Sequence, residues 1–327
     1  MRNGRVWVLG ANDPEMERIE QLLLECGEAV AYAVDERDER VRAENAYRAS
    51  VSIRKGKNVD VRTAYLIECD VHLPENVGRV VIDHHRPGDP GYGRPPAEFL
   101  TASSVGQVLS KLARWGMVGG VPVRRYADDP EAPIPGTEYP CPGEIRAIPQ
   151  QGAPFVWAIH SPFGWLYIDE ELVLAAAADH CLAAGYQGQC PGVDPEALMQ
   201  WRNETIASFE GRAVESVIAD IEWTRRVLRE APEVVLDTAP GGHCIAARDV
   251  RDRVVPELAE AAAREGVAYL ATTIDSDRRG VVCGGHTTPQ QIAAFREWAR
   301  SQGLVDYYED PAKGIAGAYE IVTPAEA

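Results

Sequence analysis

The first 110 residues alternate between short apolar runs and amphipathic stretches. Runs of β-branched and aromatic residues predict buried strands, and periodic apolar positions between them predict helices. The clearest strand is Arg5–Leu9, and the helix after it is predicted from about Pro14 to Glu25. Further strands are predicted at 29–34, 64–69 and 80–83. Alternating strands and helices predict βαβ units and a mostly parallel, doubly wound α/β sheet.

The pattern changes twice farther along the chain. Residues 117–168 are rich in Gly, Pro and aromatic residues, and they are too many for a structureless loop in a compact domain, so we expect an inserted subdomain or lid. An Asp-Pro-Glu sequence at 194–196 has the cap, the proline and the acid of a helix start. We therefore predict a domain at 1–193, a long connector helix at 194–230 and a smaller α/β domain at 231–327.

Composition limits the class of protein. The chain has 327 residues, of which 45% are hydrophobic, which is ordinary for a globular protein of two domains. There is no apolar run of 18 residues and no signal-peptide core at the start, so we expect a soluble, cytoplasmic protein without a membrane partner. The seven cysteines are scattered and form no CxxC pair, which favours reduced thiols.

The net charge of −17 restricts the partners further. Long nucleic acids are bound through many Lys and Arg contacts to phosphate, and this chain is poorly suited to them. A short oligonucleotide or mononucleotide stays open, because a bound metal ion supplies positive charge locally.

Candidate chemistry is concentrated where the strand at 80–82 ends. Asp83, His84 and His85 follow directly, at the carboxyl end of a predicted parallel strand, where ligands bind in open α/β sheets. Carboxylate and imidazole are ligands of Mn, Fe and Zn. Asp-His pairs also cap turns, so these three residues alone leave a metal site and a turn as equal alternatives.

The Asp83-His84-His85 motif resembles the one that names the DHH phosphoesterase superfamily. Three further features match that family in order: Cys69-Asp70 after the preceding strand, Thr101–Val105 as an Ala-Ser-Ser helix start, and Gly-Gly-His at 284–286. The last feature is similar to the second domain of RecJ-like and nanoRNase-like members. The resemblance covers roughly residues 1–110 and 170–290 and implies a DHH domain followed by a smaller domain with the Gly-Gly-His.

The resemblance also implies roles for individual residues. Asp70 and His84 would bind metal, and His85 would contact the substrate phosphate. Asp83 would orient the histidines or contribute a ligand. Asp179 is our choice for a further metal-binding aspartate, and Asp169 is the second choice. Asp179 can also be interpreted simply as a polar residue at a helix end.

The first family motif, His-x-Asn-Pro-Asp-x-Asp-x-Ile, differs here. Ala11 replaces the histidine, and Glu15 and Glu17 replace the two aspartates; both glutamates can still bind a cation. Asp13 before the proline is either a further ligand or only a helix cap. The departure leaves two outcomes: one well-bound ion with a weak second one, helped by Asp13 or His72, or a catalytically silent relative.

In the second domain, a phosphate site is expected. Gly284 and Gly285 can present backbone N–H groups to phosphate, and His286 can donate to a phosphate or a base. Arg278 and Arg279 are candidate phosphate clamps, with a solvated turn as the equal alternative.

Together these features predict a metal-dependent phosphoesterase that uses one or two Mn²⁺ or Mg²⁺ ions. The expected substrate is a short oligonucleotide, a nucleoside bisphosphate or a cyclic dinucleotide. A non-enzymatic nucleotide-binding or scaffold protein is the alternative. The sequence leaves open a homodimer and a non-nucleotide phosphoester substrate.

Overall fold

The computed structural model describes most of the chain in two compact units. The described residues are 4–43, 45–48, 52–53, 61–117, 141–150, 153–162, 164–237, 244–275, 278–287, 289–310 and 313–320. The first unit comprises residues up to His180 together with Pro191–Val193, and the second comprises Cys181–Cys190 and the chain from Asp194 onward.

The first unit is a mixed α/β structure. Its elements are β1 (Arg5–Leu9), α1 (Pro14–Glu25), β2 (Val30–Val34), β3 (Ser52–Ile53), β4 (Thr63–Ile67), β5 (Gly78–Ile82), α2 (Phe99–Ala102), α3 (Ser104–Arg114), β6 (Ile145–Gln150), β7 (Ala153–Ser161), β8 (Gly164–Tyr167) and the greater part of α4 (Glu170–Tyr186). The main sheet has the order β3-β2-β1-β4-β5. β2, β1, β4 and β5 run parallel, and the short β3 is antiparallel to β2. The predicted α/β class with a parallel sheet is therefore confirmed.

The sequence explains why β1 and α1 form as they do. All five residues of β1 are buried, as its apolar run requires in the centre of a sheet. Its one charged residue, Arg5, donates from Nε and Nη2 to the Glu28 carboxylate, at 2.6 Å each. Asp13 caps α1 by accepting from the Met16 N–H at 2.8 Å, and Pro14 occupies the first turn.

The strand register places three chain positions side by side at one edge of this sheet. Leu9 pairs with Ile67, and Ile67 pairs with Ile82, at the carboxyl ends of β1, β4 and β5. The Glu68 N–H continues the pattern by donating to the Ile82 carbonyl at 3.1 Å. Consequently, the loops that leave β4 and β5 begin next to each other, with Glu68 beside Asp83.

The predicted insertion contains an antiparallel sheet where it is described. β7 pairs with β6 on one side and with β8 on the other. Residues 118–140 of the insertion lie outside the described residues.

The second unit is built on a mixed six-stranded sheet. Its elements are α5 (Pro195–Glu210), α6 (Val214–Glu230), β9 (Glu233–Asp237), β10 (Cys244–Asp249), α7 (Leu258–Glu265), β11 (Ala268–Asp275), β12 (Arg278–Gly285), α8 (Pro289–Ser301), β13 (Val305–Asp310) and β14 (Ile315–Tyr319). The strand order is β13-β14-β12-β11-β10-β9; β10 pairs parallel with β11, and the other neighbouring strands pair antiparallel. Phe295 of α8 is fully buried in the core against this sheet.

The region predicted as one connector helix at 194–230 forms two helices instead. α5 ends at Glu210 and is capped by Gly211, whose φ of 64° lies in the left-handed region, and α6 begins at Val214. Glycine adopts this conformation readily and so terminates helices. Among the described residues, none of the helices has the length and apolar character needed to cross a membrane.

Candidate metal centre

Four side chains with ligand atoms converge at the carboxyl ends of β4 and β5. Glu68, His84, His85 and Asp179 each offer one such atom, and these atoms all lie within 4.8 Å of one another. Glu68 follows β4, the two histidines follow β5, and Asp179 comes from α4. We call these four residues the ligand cluster.

His84 is at the centre of the ligand cluster and is fully buried. Its Nε2 lies 2.6 Å from Asp179 Oδ2 and 3.4 Å from Glu68 Oε1. One imidazole nitrogen therefore faces two carboxylates at a place that water does not reach.

Asp83 organises the loop that carries both histidines. Its Oδ1 accepts from the backbone N–H of His84 at 2.7 Å and of His85 at 3.0 Å, and from His85 Nδ1 at 2.9 Å. Its Oδ2 accepts from the Tyr47 hydroxyl at 2.8 Å. Burial tends to raise the pKa of Asp83, but the bonds from His85 outweigh it and leave this pKa low. With its oxygens so engaged, Asp83 is suited to orient the histidines rather than to bind an ion.

Glu68 enters the ligand cluster through an unusual backbone conformation. Its φ is 50°, in the left-handed region that residues other than glycine seldom adopt. Its Oε1 is buried and has no hydrogen-bond partner among the described residues. Burial raises the pKa of Glu68, but the neighbouring His85 and His84 lower it more, so the carboxylate is held ionised.

Glu15 of the divergent first motif lies beside the ligand cluster. It is buried, and its Oε1 accepts from the Val105 N–H at the start of α3, at 2.9 Å. Burial, followed by the negative charges of Asp179 and Glu68, raises the pKa of Glu15 well above its usual range. A third carboxyl group is thus forced to hold a proton where two carboxylates already lie.

These features fit a divalent cation. In the state that binds metal, with both carboxylates ionised and both imidazoles neutral, the ligand cluster has a formal charge of −2, and buried charge is costly unless it is compensated. Oxygen and imidazole ligands suit Mn²⁺, Fe²⁺ and Zn²⁺, and carboxylates suit Mg²⁺. The residues present can therefore hold one such ion.

Asp70, the aspartate that the resemblance assigned to the metal, lies elsewhere. Its Oδ1 pairs with Arg79 Nη1 at 3.0 Å, and both side chains are exposed. Asp70 lines a surface pocket together with His72. The ligand cluster contains Glu68 in its place, because Glu68 is the first residue beyond β4 and Asp70 is the third.

The other acids named from the sequence have different surroundings. Asp13 caps α1, as its alternative interpretation expected, and Glu17 is exposed on the same helix. Asp169, the alternative to Asp179, accepts from the Glu171 N–H at the start of α4, at 2.9 Å. The structure therefore brings Asp179, and not Asp169, to the two histidines.

The loop at Ala11 contacts an arginine. Arg40 donates from Nε to the Gly10 carbonyl at 3.0 Å and from Nη1 to Asn12 Oδ1 at 2.8 Å. Its guanidinium also lies 4.7 Å from the centre of the Tyr32 ring. A permanent positive charge is thus held beside the loop in which the resembled motif has a metal-binding histidine.

In the second unit, the packing of the sheet accounts for the two glycines of the Gly-Gly-His. A Cβ on Gly284 would lie 2.7 Å from the Tyr269 hydroxyl, and one on Gly285, whose φ is 88°, would lie 2.5 Å from the Val267 carbonyl. His286 lines a pocket that also contains Arg248.

The two arginines before the Gly-Gly-His give less information. Arg279 is exposed and lies 3.6 Å from Glu320, in the geometry of a surface ion pair. Arg278 begins β12, and its side chain lies outside the described residues.

Three residues of the site were missed by sequence reasoning. Glu68 had a partial signal, because it is the first polar residue after a buried strand, but only the strand register places it level with Asp83. Tyr47 and His180 had none, since their contacts to Asp83 and His84 span 36 and 96 residues.

Comparison with known proteins adds no assignment. No family model matches the chain, and neither a curated protein nor a solved structure matches it. The residues and geometry of the site are therefore the basis for a functional hypothesis.

Proposed function

We propose that this protein is a metal-dependent phosphoesterase of the DHH type, with a doubly wound first domain, and that it hydrolyses a small nucleotide-type phosphoester. The main support is the ligand cluster, in which two carboxylates and two imidazoles meet at the carboxyl edge of a parallel sheet. Ligand sites of open α/β sheets occupy this edge. The Asp-His-His resemblance supplies the reaction class.

Three residues are proposed to hold the ion. Glu68, His84 and Asp179 are the most buried members of the ligand cluster, with side-chain exposures of 8%, 0% and 12%. Glu15 lies next to them and would ionise when the ion offsets the surrounding negative charge. When bound, a divalent ion supplies Lewis acidity, which polarises a phosphoryl oxygen and makes water a better nucleophile.

His85 is proposed to meet the substrate. It is the most exposed member of the ligand cluster, at 22%, so a ligand in solution can reach it. Its Nδ1 bonds to the Asp83 carboxylate, which accepts only, so Nδ1 carries the proton in the neutral ring. The hydrogen bond to Asp83 fixes the ring, and Nε2 is the nitrogen proposed to face the substrate phosphate.

We propose that one ion is sufficient. Ala11 removes a ligand from the second site of the resembled motif, and Arg40 holds a guanidinium beside that loop. Both features disfavour a second cation there. The guanidinium adds positive charge without any ion.

The proposed substrate is small. A net charge of −17 is unsuited to long nucleic acids, whereas a short oligonucleotide, a nucleoside bisphosphate or a cyclic dinucleotide presents few phosphates. His286 and Arg248, which line one pocket of the second unit, are proposed to bind a substrate group there.

The test is hydrolysis of a substrate panel with Mn²⁺. Dinucleotides, nucleoside bisphosphates, cyclic dinucleotides, pyrophosphate and sugar phosphates would be compared for release of phosphate or mononucleotide. His84→Ala should abolish turnover, and Asp70→Asn, a matched change of an exposed acid outside the ligand cluster, should leave it unchanged. Turnover of sugar phosphates alone would refute the substrate class, and equal turnover by His84→Ala would refute the site.

A nucleotide-binding protein without catalytic activity is the second candidate. It is favoured by one observation, the replacement of the first-motif histidine by Ala11 with Arg40 beside it. Binding of Mn²⁺ and nucleotide by folded protein, without turnover of any compound in the panel, would support this candidate over the phosphoesterase.

A further inference from the structure

His180 is a buried histidine that neither the sequence motifs nor the ligand cluster includes. It follows Asp179 in α4 and is fully buried. Its Nδ1 lies 2.9 Å from His84 Nδ1, and its Nε2 lies 3.2 Å from the Arg94 carbonyl oxygen. The ring therefore connects a backbone acceptor to the histidine at the centre of the ligand cluster.

The Arg94 carbonyl determines where the protons lie. A carbonyl oxygen accepts only, so His180 Nε2 must carry a hydrogen and donate it. In a neutral imidazole the other nitrogen then has a lone pair, which makes His180 Nδ1 an acceptor. The 2.9 Å contact between the two Nδ1 atoms is consequently a bond that His84 donates.

This proton arrangement determines the state of the other ring nitrogen of His84, Nε2. With the hydrogen on Nδ1, a neutral His84 has its lone pair on Nε2, the nitrogen that lies 2.6 Å from Asp179 Oδ2 and 3.4 Å from Glu68 Oε1. A lone pair facing two carboxylates is repulsive by itself. A divalent cation held by these residues would replace the repulsion with attraction.

We propose that His180 is a positioning residue that holds His84 in its Nδ1–H tautomer and so presents Nε2 to a divalent cation. Metal-bound histidines are commonly fixed in this way by an acceptor on the second ring nitrogen. Here that acceptor is another histidine, itself fixed by the Arg94 carbonyl. The inference rests on the metal ion of the proposed function and is independent of the reaction.

Three substitutions separate the tautomer role from a packing role. His180→Asn keeps an acceptor near the position of Nδ1, because its amide oxygen occupies a similar distance from the backbone. His180→Gln places its amide near the position of Nε2, so it keeps the Arg94 contact and loses the acceptor. His180→Leu retains buried volume and loses both contacts. Thermal unfolding of each metal-free variant shows which of them are folded.

The first readout is Mn²⁺ affinity, measured by calorimetry on the whole protein. Loss of an outer partner of a metal-bound histidine typically weakens affinity about 10–100-fold, and we expect this for His180→Gln and His180→Leu. His180→Asn should bind nearly as tightly as the wild type. If folded His180→Gln binds Mn²⁺ as tightly as the wild type, the positioning role is refuted, and an absence of Mn²⁺, Mg²⁺ and Zn²⁺ binding by the wild type refutes it as well.

The second readout is the proton itself. In Zn²⁺-loaded protein with ¹⁵N-labelled histidine, we expect the proton on His84 Nδ1 and a scalar coupling between the two Nδ1 nuclei across the hydrogen bond. A proton on His84 Nε2, or on His180 Nδ1, overturns the proposal. Neither readout involves turnover, so a protein that passes both and hydrolyses nothing would refute the phosphoesterase and leave the role of His180 intact.

Discussion

The two units of this protein differ in what accounts for the positions of their motif residues. At the carboxyl edge of the first sheet, Glu68, His84 and Asp179 are buried together although their charges and lone pairs face one another. At the end of β12 in the second unit, Gly284 and Gly285 are accounted for by packing, since an added Cβ would lie 2.7 Å from the Tyr269 hydroxyl or 2.5 Å from the Val267 carbonyl. The first arrangement is costly without a ligand, whereas the second is explained by packing alone.

The difference shows how much a motif can indicate by itself. A glycine pair that packing accounts for would be present with or without a phosphate to bind, so it supports no function. Buried carboxylates around an imidazole have no such structural explanation, because burial of polar groups without compensation destabilises a fold.

The largest effect is expected on Mn²⁺ affinity, in a comparison of two neighbouring acids, Glu68 and Asp70. Glu68→Gln should weaken Mn²⁺ binding more than about 100-fold, because loss of an outer partner alone costs about 10–100-fold. Asp70→Asn removes an equal charge two residues away and should leave the affinity unchanged, since Asp70 pairs with Arg79. Calorimetric titration of both variants measures the difference. If Asp70→Asn abolished binding and Glu68→Gln did not, the ligand cluster would be misassigned.

The next largest effect, on the stability of the fold, is expected in the second unit. Gly285→Ala should lower the free energy of unfolding by about 2–5 kcal/mol, because a Cβ is added in a left-handed conformation and close to the Val267 carbonyl. Gly303→Ala is the matched control, since Gly303 also has positive φ but has nothing within 4 Å of the added atom. Urea denaturation of both variants separates contact from backbone strain. Equal losses would contradict the packing explanation of the Gly-Gly-His.

A smaller, pH-dependent effect is expected at Glu15. Its pKa in the folded protein is raised, and that of the unfolded chain is ordinary, about 4.3. Folded protein therefore binds the proton more tightly, and this contribution to stability is present at low pH and is lost as the pH rises above about 4.3. Metal-free Glu15→Gln should accordingly be more stable than the wild type at pH 7 and no more stable at pH 4.

The measurement is the free energy of unfolding of the wild type and of Glu15→Gln across this pH range. The control is the same measurement with added Mn²⁺. Because the ion offsets the charge of an ionised Glu15, it should reduce the advantage of Glu15→Gln at pH 7. Wild-type affinity for Mn²⁺ should fall toward acidic pH, as protons compete for the ligands. An advantage of Glu15→Gln that did not change with pH would exclude the raised pKa as its cause.

Much of the fold was predictable because local signals agreed with tertiary packing. β1 and α1 have the predicted bounds, since a five-residue apolar run and an Asp-Pro cap specify them without help from distant residues. The break between α5 and α6 was missed, because one glycine in an otherwise helical pattern does not show whether its φ will be positive. The β6–β7–β8 sheet was also missed, since its strands contain no clear alternation.

The site was predictable where a motif is continuous and unpredictable where it depends on register. His84, His85 and Asp179 were proposed from the resemblance to the DHH motif and its family. Glu68 was not, because only the pairing of Ile67 with Ile82 shows that it lies level with Asp83. His180 depends on a contact across 96 residues, which no local pattern contains.

The smallest effect is expected for substitution of His286, in the second-unit pocket that is proposed to bind a substrate group. His286 keeps its place through its backbone N–H, which donates to the Val267 carbonyl at 3.1 Å, so His286→Ala should leave the free energy of unfolding nearly unchanged. If the ring binds a phosphate, KM should rise by about tenfold at constant kcat, the loss expected for one hydrogen bond to a charged group. Arg279→Ala is the control, because its exposed pairing with Glu320 predicts no effect on KM. If Arg279→Ala changed KM and His286→Ala did not, the phosphate contact would lie at Arg279 in β12 and not in the pocket at His286. The Gly-Gly-His would then have only the structural role that its glycines already have.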